Sequence, residues 1–113
     1  MSQRAVTRAA APLEKHLVDA IRHAFKRMGL VTWSGRIWVR GHRPPYLPVL
    51  GPGTPDILGV TRQGRLFGVE AKRDDASHDR PSQEAWRAYA AATRIAVVTV
   101  RSVGEAVAFV RAL

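Results

Sequence analysis

Three charged side chains in the middle of the chain, Asp56, Glu70 and Lys72, are spaced for joint chemistry. The stretches around them, residues 55–60 and 65–72, are short, apolar and β-prone, and Arg62-Gln63-Gly64 between them reads as a turn. Asp56 and Glu70 are equally distant from Gln63. In an antiparallel hairpin without a bulge, positions symmetric about the turn are cross-strand neighbours, so the two carboxylates are expected side by side. Glu70 and Lys72 are two residues apart and share a strand face; Ala71 faces the opposite way and leaves its carbonyl near the same edge. Two hard oxygen ligands and a carbonyl suit a Mg²⁺ or Mn²⁺ ion. An ion held there lowers the pKa of a bound water and polarises a phosphoryl oxygen, while the nearby ammonium stabilises charge developing on the phosphate. Without a metal, the same pair sets like charges together at a cost. The triplet also fits a plain ion pair of Glu70 with Lys72 beside a turn-adjacent Asp56, and spacing alone does not separate the two readings.

The elements that must position these residues follow from periodicity and punctuation. Residues 1–11 are polar and Ala-rich, carry Arg4 and Arg8, and read as a loose basic arm ahead of one domain spanning 12–113. Between Pro12 and Gly29, Leu13, Leu17, Ile21, Ala24, Phe25 and Met28 share one helical face, with Lys15, His16, Asp19, Arg22, His23 and Lys26 opposite. Glu14 falls inside the apolar arc; by position alone it reads as a first-turn acid favouring the helix dipole. Residues 31–40 read as a strand, or a short hairpin through Ser34-Gly35. Residues 41–54, with four prolines and three glycines, read as a long irregular loop. Pro81 opens a second helix with Trp86, Tyr89, Ala90 and Thr93 inward. Residues 95–100 are almost wholly apolar and predict a central strand buried on both faces. Ser102 and Glu105 form a capping box for a last helix. The order α-β-β-β-α-β plus a C-terminal helix defines an α/β domain around a mixed sheet.

Charge narrows the partner. Eighteen Lys and Arg stand against nine Asp and Glu, a net +9 on 113 residues, which points to a polyanion. Fifteen of the eighteen are Arg, so Lys72 is an exception that asks for a reason. No apolar run approaches a membrane span, and the first dozen residues lack the apolar stretch of a secretory signal. With no cysteine there is no disulfide framework, thiolate metal site or cysteine nucleophile. No Walker-type phosphate loop or Ser-His-Asp arrangement is present. His16 and His23 read as surface groups, and Trp33 and Trp86 as core, with Trp38 the candidate base-stacking exception. Arg36, Arg40, His42, Arg43, Arg73 and Arg80 flank the carboxylates and are the expected phosphate contacts. Arg22, Arg27, Arg87, Arg94 and Arg111 read as ordinary solvated charges.

The motifs also carry a resemblance. Pro55-Asp56, thirteen residues, then Glu70-Ala71-Lys72 resembles the PD-(D/E)xK nuclease signature. Gly53-Thr54-Pro55-Asp56-Ile57, Gly68-Val69-Glu70-Ala71-Lys72 and Ser82-Gln83 at the head of the next helix resemble its VRR-NUC branch. The likeness runs from Glu14 to about Val100. It implies a restriction-endonuclease-like core and a Mg²⁺- or Mn²⁺-dependent DNA endonuclease. Asp56, Glu70 and the Ala71 carbonyl would be metal ligands, with Lys72 catalytic. Glu14 would be the first-helix acid completing the site, reversing the reading from its position alone. Gln83 would be the family's glutamine, and its helical spacing from Trp86 and Ala90 faces it to the sheet. The resemblance further implies a homodimer acting on branched DNA such as four-way junctions, in the cytoplasm at the nucleoid. Two departures stand out: Arg80 precedes Pro81 where a Ser or Thr cap is common, and Arg73-Asp74-Asp75 replaces a Gly-rich turn after the lysine. The alternative class is a non-catalytic nucleic-acid-binding protein on a degenerate nuclease fold.

Overall fold

The structure is a computed structural model that describes residues 3–41, 46–72 and 81–113. Its elements in chain order are α1 (Gln3–Arg27), β1 (Val31–Ser34), β2 (Arg36–Trp38), β3 (Tyr46–Pro48), β4 (Ile57–Val60), β5 (Leu66–Ala71), α2 (Pro81–Ala92), β6 (Ala96–Val100) and α3 (Val103–Arg111). The main sheet has the order β1-β4-β5-β6; β1, β4 and β5 are antiparallel neighbours, and β6 lies parallel to β5. β2 and β3 form a separate antiparallel pair. This is the mixed-sheet α/β architecture that the element order predicts.

Side-chain alternation along β4 and β5 divides the sheet into two faces. Ile57, Phe67, Val69 and Ala71 pack with Ile21 and Phe25 of α1 and with Ala106 and Val110 of α3. Phe67 is the hinge of that layer, edge-on to Phe25 at 5.6 Å and to Phe109 at 6.3 Å. On the other face, Leu58 packs with Trp86 and Ala90 of α2, flanked by Trp33 and Val97. Burying these aliphatic and aromatic side chains contributes roughly 1.5–3 kcal/mol each. β4 and β5 are thus covered on both sides, and any polar group on the α2 face of their ends is held in dry surroundings.

Four sequence expectations are corrected. α1 starts at Gln3, not Pro12. Its Ala-rich first turns favour helix strongly, and a long helix tolerates the one amide bond lost at Pro12. Residues 31–40 are not one strand, nor a hairpin folded on itself. β1 pairs with β4, and after Gly35 the chain leaves the main sheet so that β2 pairs with β3, a strand inside the segment read as irregular loop. β6 is an edge strand, not a central one. It is apolar because α2 and α3 cover its two faces, and a face pattern carries no information about lateral neighbours. Tyr89 points outward, 61% exposed, Thr93 is exposed just past the end of α2, and the buried stripe of α2 is Gln83, Trp86 and Ala90. Among the described residues no helix is long and apolar enough to cross a membrane.

The helix ends obey capping chemistry. Ser102 accepts the Glu105 amide, and Glu105 reaches back to the Arg101 amide at 3.1 Å, a capping box shifted by one residue. α1 and α2 both end in a Schellman-type turn, with Leu30 N–H bonded to Phe25 O and Ile95 N–H to Ala90 O. The left-handed position of the first turn is Gly29, at φ +78°; in the second it is Arg94, at φ +62°. A side chain there strains the backbone, while glycine does not. Arg94→Gly is therefore expected to stabilise the protein by about 0.5–1 kcal/mol, read as a higher urea midpoint at unchanged slope.

Candidate active site

The β4–β5 connection decides where the carboxylates fall. Thr61 and Arg65 close a three-residue loop, the Thr61 amide donating to Arg65 O and the Arg65 amide to Thr61 Oγ1. Gly64 takes the left-handed position that ends such a loop. An odd loop centred on Gln63 makes the pairing symmetric about that residue: Val60 with Leu66, Gly59 with Phe67, Leu58 with Gly68, Ile57 with Val69. One step further, at the start of β4, Asp56 faces Glu70. Both are buried, and both lie on the Leu58 face covered by α2.

Asp56 is held through both oxygens. Oδ2 accepts the Ala71 amide at 2.9 Å, and Oδ1 pairs with Arg36 Nη2 at 3.1 Å. Arg36 arrives there because its backbone is docked onto the start of β4. The Gly35 amide donates to Asp56 O at 2.8 Å, and Ser34 Oγ both donates to Arg36 O and accepts the Arg36 amide. A Cβ at position 35 would lie 1.7 Å from Pro55 O, so this approach requires glycine. Lys72, immediately beyond β5, is buried and donates from Nζ to Gln83 Oε1 at 3.4 Å. Arg87, one turn after Gln83, donates to Thr99 Oγ1 at 2.6 Å, and Thr99 is the register partner of Glu70 on β6.

The electrostatics follow from burial. Glu70 is pushed up from 4.5 to about 8, first by desolvation and then by the charge of Asp56 and a hydrogen bond with it; Lys72 and Arg36 pull the other way without cancelling the rise. Near neutral pH this carboxyl retains a proton that Asp56 accepts in a hydrogen bond. A buried acid pair that keeps a proton against two nearby cations is a donor set that fits a hard divalent ion, whose charge takes the proton's place. Asp56, Glu70 and the Ala71 carbonyl are the groups that would hold it.

The expected site residues separate into three groups. Asp56, Glu70, Lys72 and Gln83 come together as the spacing predicts, and Ala71 joins the core layer on the opposite face. Glu14 is half-buried on α1, which packs on that opposite face, and among the described residues no third acid joins Asp56 and Glu70 in a metal-binding group. Arg36, expected to contact phosphate, pairs with Asp56. Arg40 is exposed. His42, Arg43, Arg73 and Arg80 lie outside the described residues, as does the side chain of Trp38. Arg87, read as a solvated charge, bonds across to β6; its spacing of four from Gln83 is the signal that it shares the sheet-facing side of α2.

No family model matches the sequence, and no curated protein matches it. In structure the chain is similar to a solved VRR_NUC domain, with a TM-score of 0.64 and 18% identity over 87% of this chain and 94% of that one. The protein therefore has the fold of a VRR-NUC domain, a restriction-endonuclease-like α/β fold. The family resemblance read from the motifs and the likeness read from the backbone agree.

The raised Glu70 carboxyl makes a signed prediction. Between pH 4.5 and about 8 the folded chain holds a proton that the unfolded chain releases. The contribution of this group to the stability of the metal-free protein is thus fully present below pH 4.5 and declines as pH rises towards 8. Glu70→Gln keeps the shape and removes the titration. Urea melts should show it more stable than the parent at pH 8, by about 1–3 kcal/mol, with the two converging near pH 5.

Proposed function

We propose that the protein is a Mg²⁺- or Mn²⁺-dependent nuclease that hydrolyses phosphodiester bonds in DNA. The observation that carries this reading is the meeting of Asp56, Glu70 and Lys72 on one buried face. The VRR-NUC fold and the net +9 charge support it. A bound divalent ion supplies a water of lowered pKa and neutralises charge on the phosphoryl oxygens. Asp56 and Glu70 would hold that ion with side chains that the β4–β5 register sets side by side, and the Ala71 amide keeps Asp56 from rotating. Lys72 contributes an ammonium oriented by Gln83, directed at charge that builds up on the phosphate. Burial makes that charge effective, because little water screens it.

The substrate preference we propose is branched DNA, cut by a homodimer whose two sites act on the two strands of a symmetric branch. That part rests on the family resemblance in the motifs. The expected place of work is the cytoplasm, at the nucleoid.

The test is cleavage of linear duplex, single strand, flap and four-way junction in Mg²⁺, Mn²⁺ or EDTA. The parent is expected to cut in either metal and not in EDTA, with the junction preferred. Asp56→Ala, Glu70→Ala and Lys72→Ala should each lose at least about a hundredfold, and Gln83→Ala about tenfold. Light scattering behind size exclusion should return twice the mass of one chain. Salt-sensitive DNA binding that is indifferent to metal, without cleavage, would identify a non-catalytic binding protein instead.

A further inference from the structure

The Arg36–Asp56 contact poses a chemical conflict. Asp56 has one oxygen committed to the Ala71 amide, so Oδ1 is the freer donor, and Arg36 Nη2 sits on it at 3.1 Å. A guanidinium and a divalent ion on the same carboxylate repel each other at short range, in surroundings that screen poorly. Lysine or histidine could relieve that conflict by losing a proton; arginine cannot. A divalent ion on Oδ1 would therefore contend with Arg36 for that oxygen.

The local structure permits Arg36 to give way. The backbone at Arg36 is clamped by Ser34 Oγ and, through Gly35, by Asp56 O. Its side chain is 34% exposed against 10% for Asp56, so the guanidinium covers the carboxylate from the open side. A long, partly exposed side chain on a fixed base can leave Oδ1 and stay within reach of a phosphate bound at the same place. The planar fork is suited to phosphate oxygens.

We propose, building on the metallonuclease reading, that Arg36 is a resident counter-ion of Asp56. It occupies the carboxylate in the empty site, competes with the metal, and once released binds the DNA phosphate at the site. Arg36 is in this sense a positioning residue that couples metal loading to DNA binding.

Mn²⁺ binding without DNA, followed by electron paramagnetic resonance, tests the competition. Arg36→Gln and Arg36→Met, two side chains of different chemistry, should bind Mn²⁺ about three- to tenfold more tightly than the parent. Arg36→Lys, which keeps a charge able to pair with Asp56 but can shed its proton, should fall between the parent and the Gln and Met variants. Thermal melts identify which variants are folded and are to be read. DNA binding by anisotropy tests the release: Arg36→Gln should weaken binding about tenfold in Ca²⁺ and clearly less in EDTA. Unchanged or weaker Mn²⁺ binding in folded Gln and Met variants overturns the competition, and equal DNA losses in Ca²⁺ and EDTA overturn the release. A parent that binds no Mn²⁺ overturns the metallonuclease reading itself, so the two failures are distinguishable.

Discussion

Two carboxylates face each other at the buried end of a β-hairpin, and the arrangement around them answers that one unfavourable contact. Asp56 and Glu70 cannot both be charged at low cost in a dry environment. The structure meets the cost in several ways at once. The Ala71 amide and the Arg36 guanidinium take the two oxygens of Asp56, and Glu70 retains a proton. Lys72 supplies further positive charge and is itself oriented by Gln83. Glu70 and the Ala71 amide belong to β5, Lys72 follows it directly, Arg36 comes from β2 and Gln83 from α2, so the acid pair depends on segments that only the fold brings together.

The same dependence explains why the core is built on two faces. α1 and α3 seal one side of β5 through the Phe25, Phe67 and Phe109 cluster; α2 seals the other through Trp86 and Leu58. Trp86 also ties α2 to the segment before Asp56 by donating from its indole to Leu50 O at 3.4 Å. Thr54, buried, bonds through its hydroxyl to Gly51 O and the Leu50 amide. The approach to Asp56 is thus braced from α2, from its own turn and from the Gly35 crossing. Apolar packing supplies stability that offsets the cost of the acid pair, and the polar bonds set its geometry.

Much of this was legible in the residues. The hairpin register was, because Thr61 to Arg65 is the length of a three-residue loop with glycine at its last position, and an odd loop has one central residue. The face-sharing of Glu70 and Lys72 was, because strands alternate with a period of two. Gln83 inward on α2 was, from its spacing to Trp86 and Ala90. The lateral position of β6 was not, since two covering helices produce the same apolar run as two neighbouring strands. Nor was the outward turn of Tyr89, because an aromatic ring at the margin of a helical stripe can sit on either side of it. The split of residues 31–40 between two sheets turns on Gly35 pressing against Pro55 O, a contact between segments far apart in the chain.

The sequence by itself determined the α/β class, the hairpin that carries Asp56 and Glu70, and the exceptional status of Lys72 among fifteen arginines. These depend on local spacing, on turn chemistry and on composition, all of which act within a few residues. Only the tertiary structure decided which cation stands on Asp56, which helix covers the acids and which face of the sheet Glu14 shares. Arg36 is twenty residues from Asp56 in the chain and meets it because β1 pairs with β4 and the crossing at Gly35 fits. Such contacts arise from the packing of distant segments, and no periodicity within either segment encodes the distance between them.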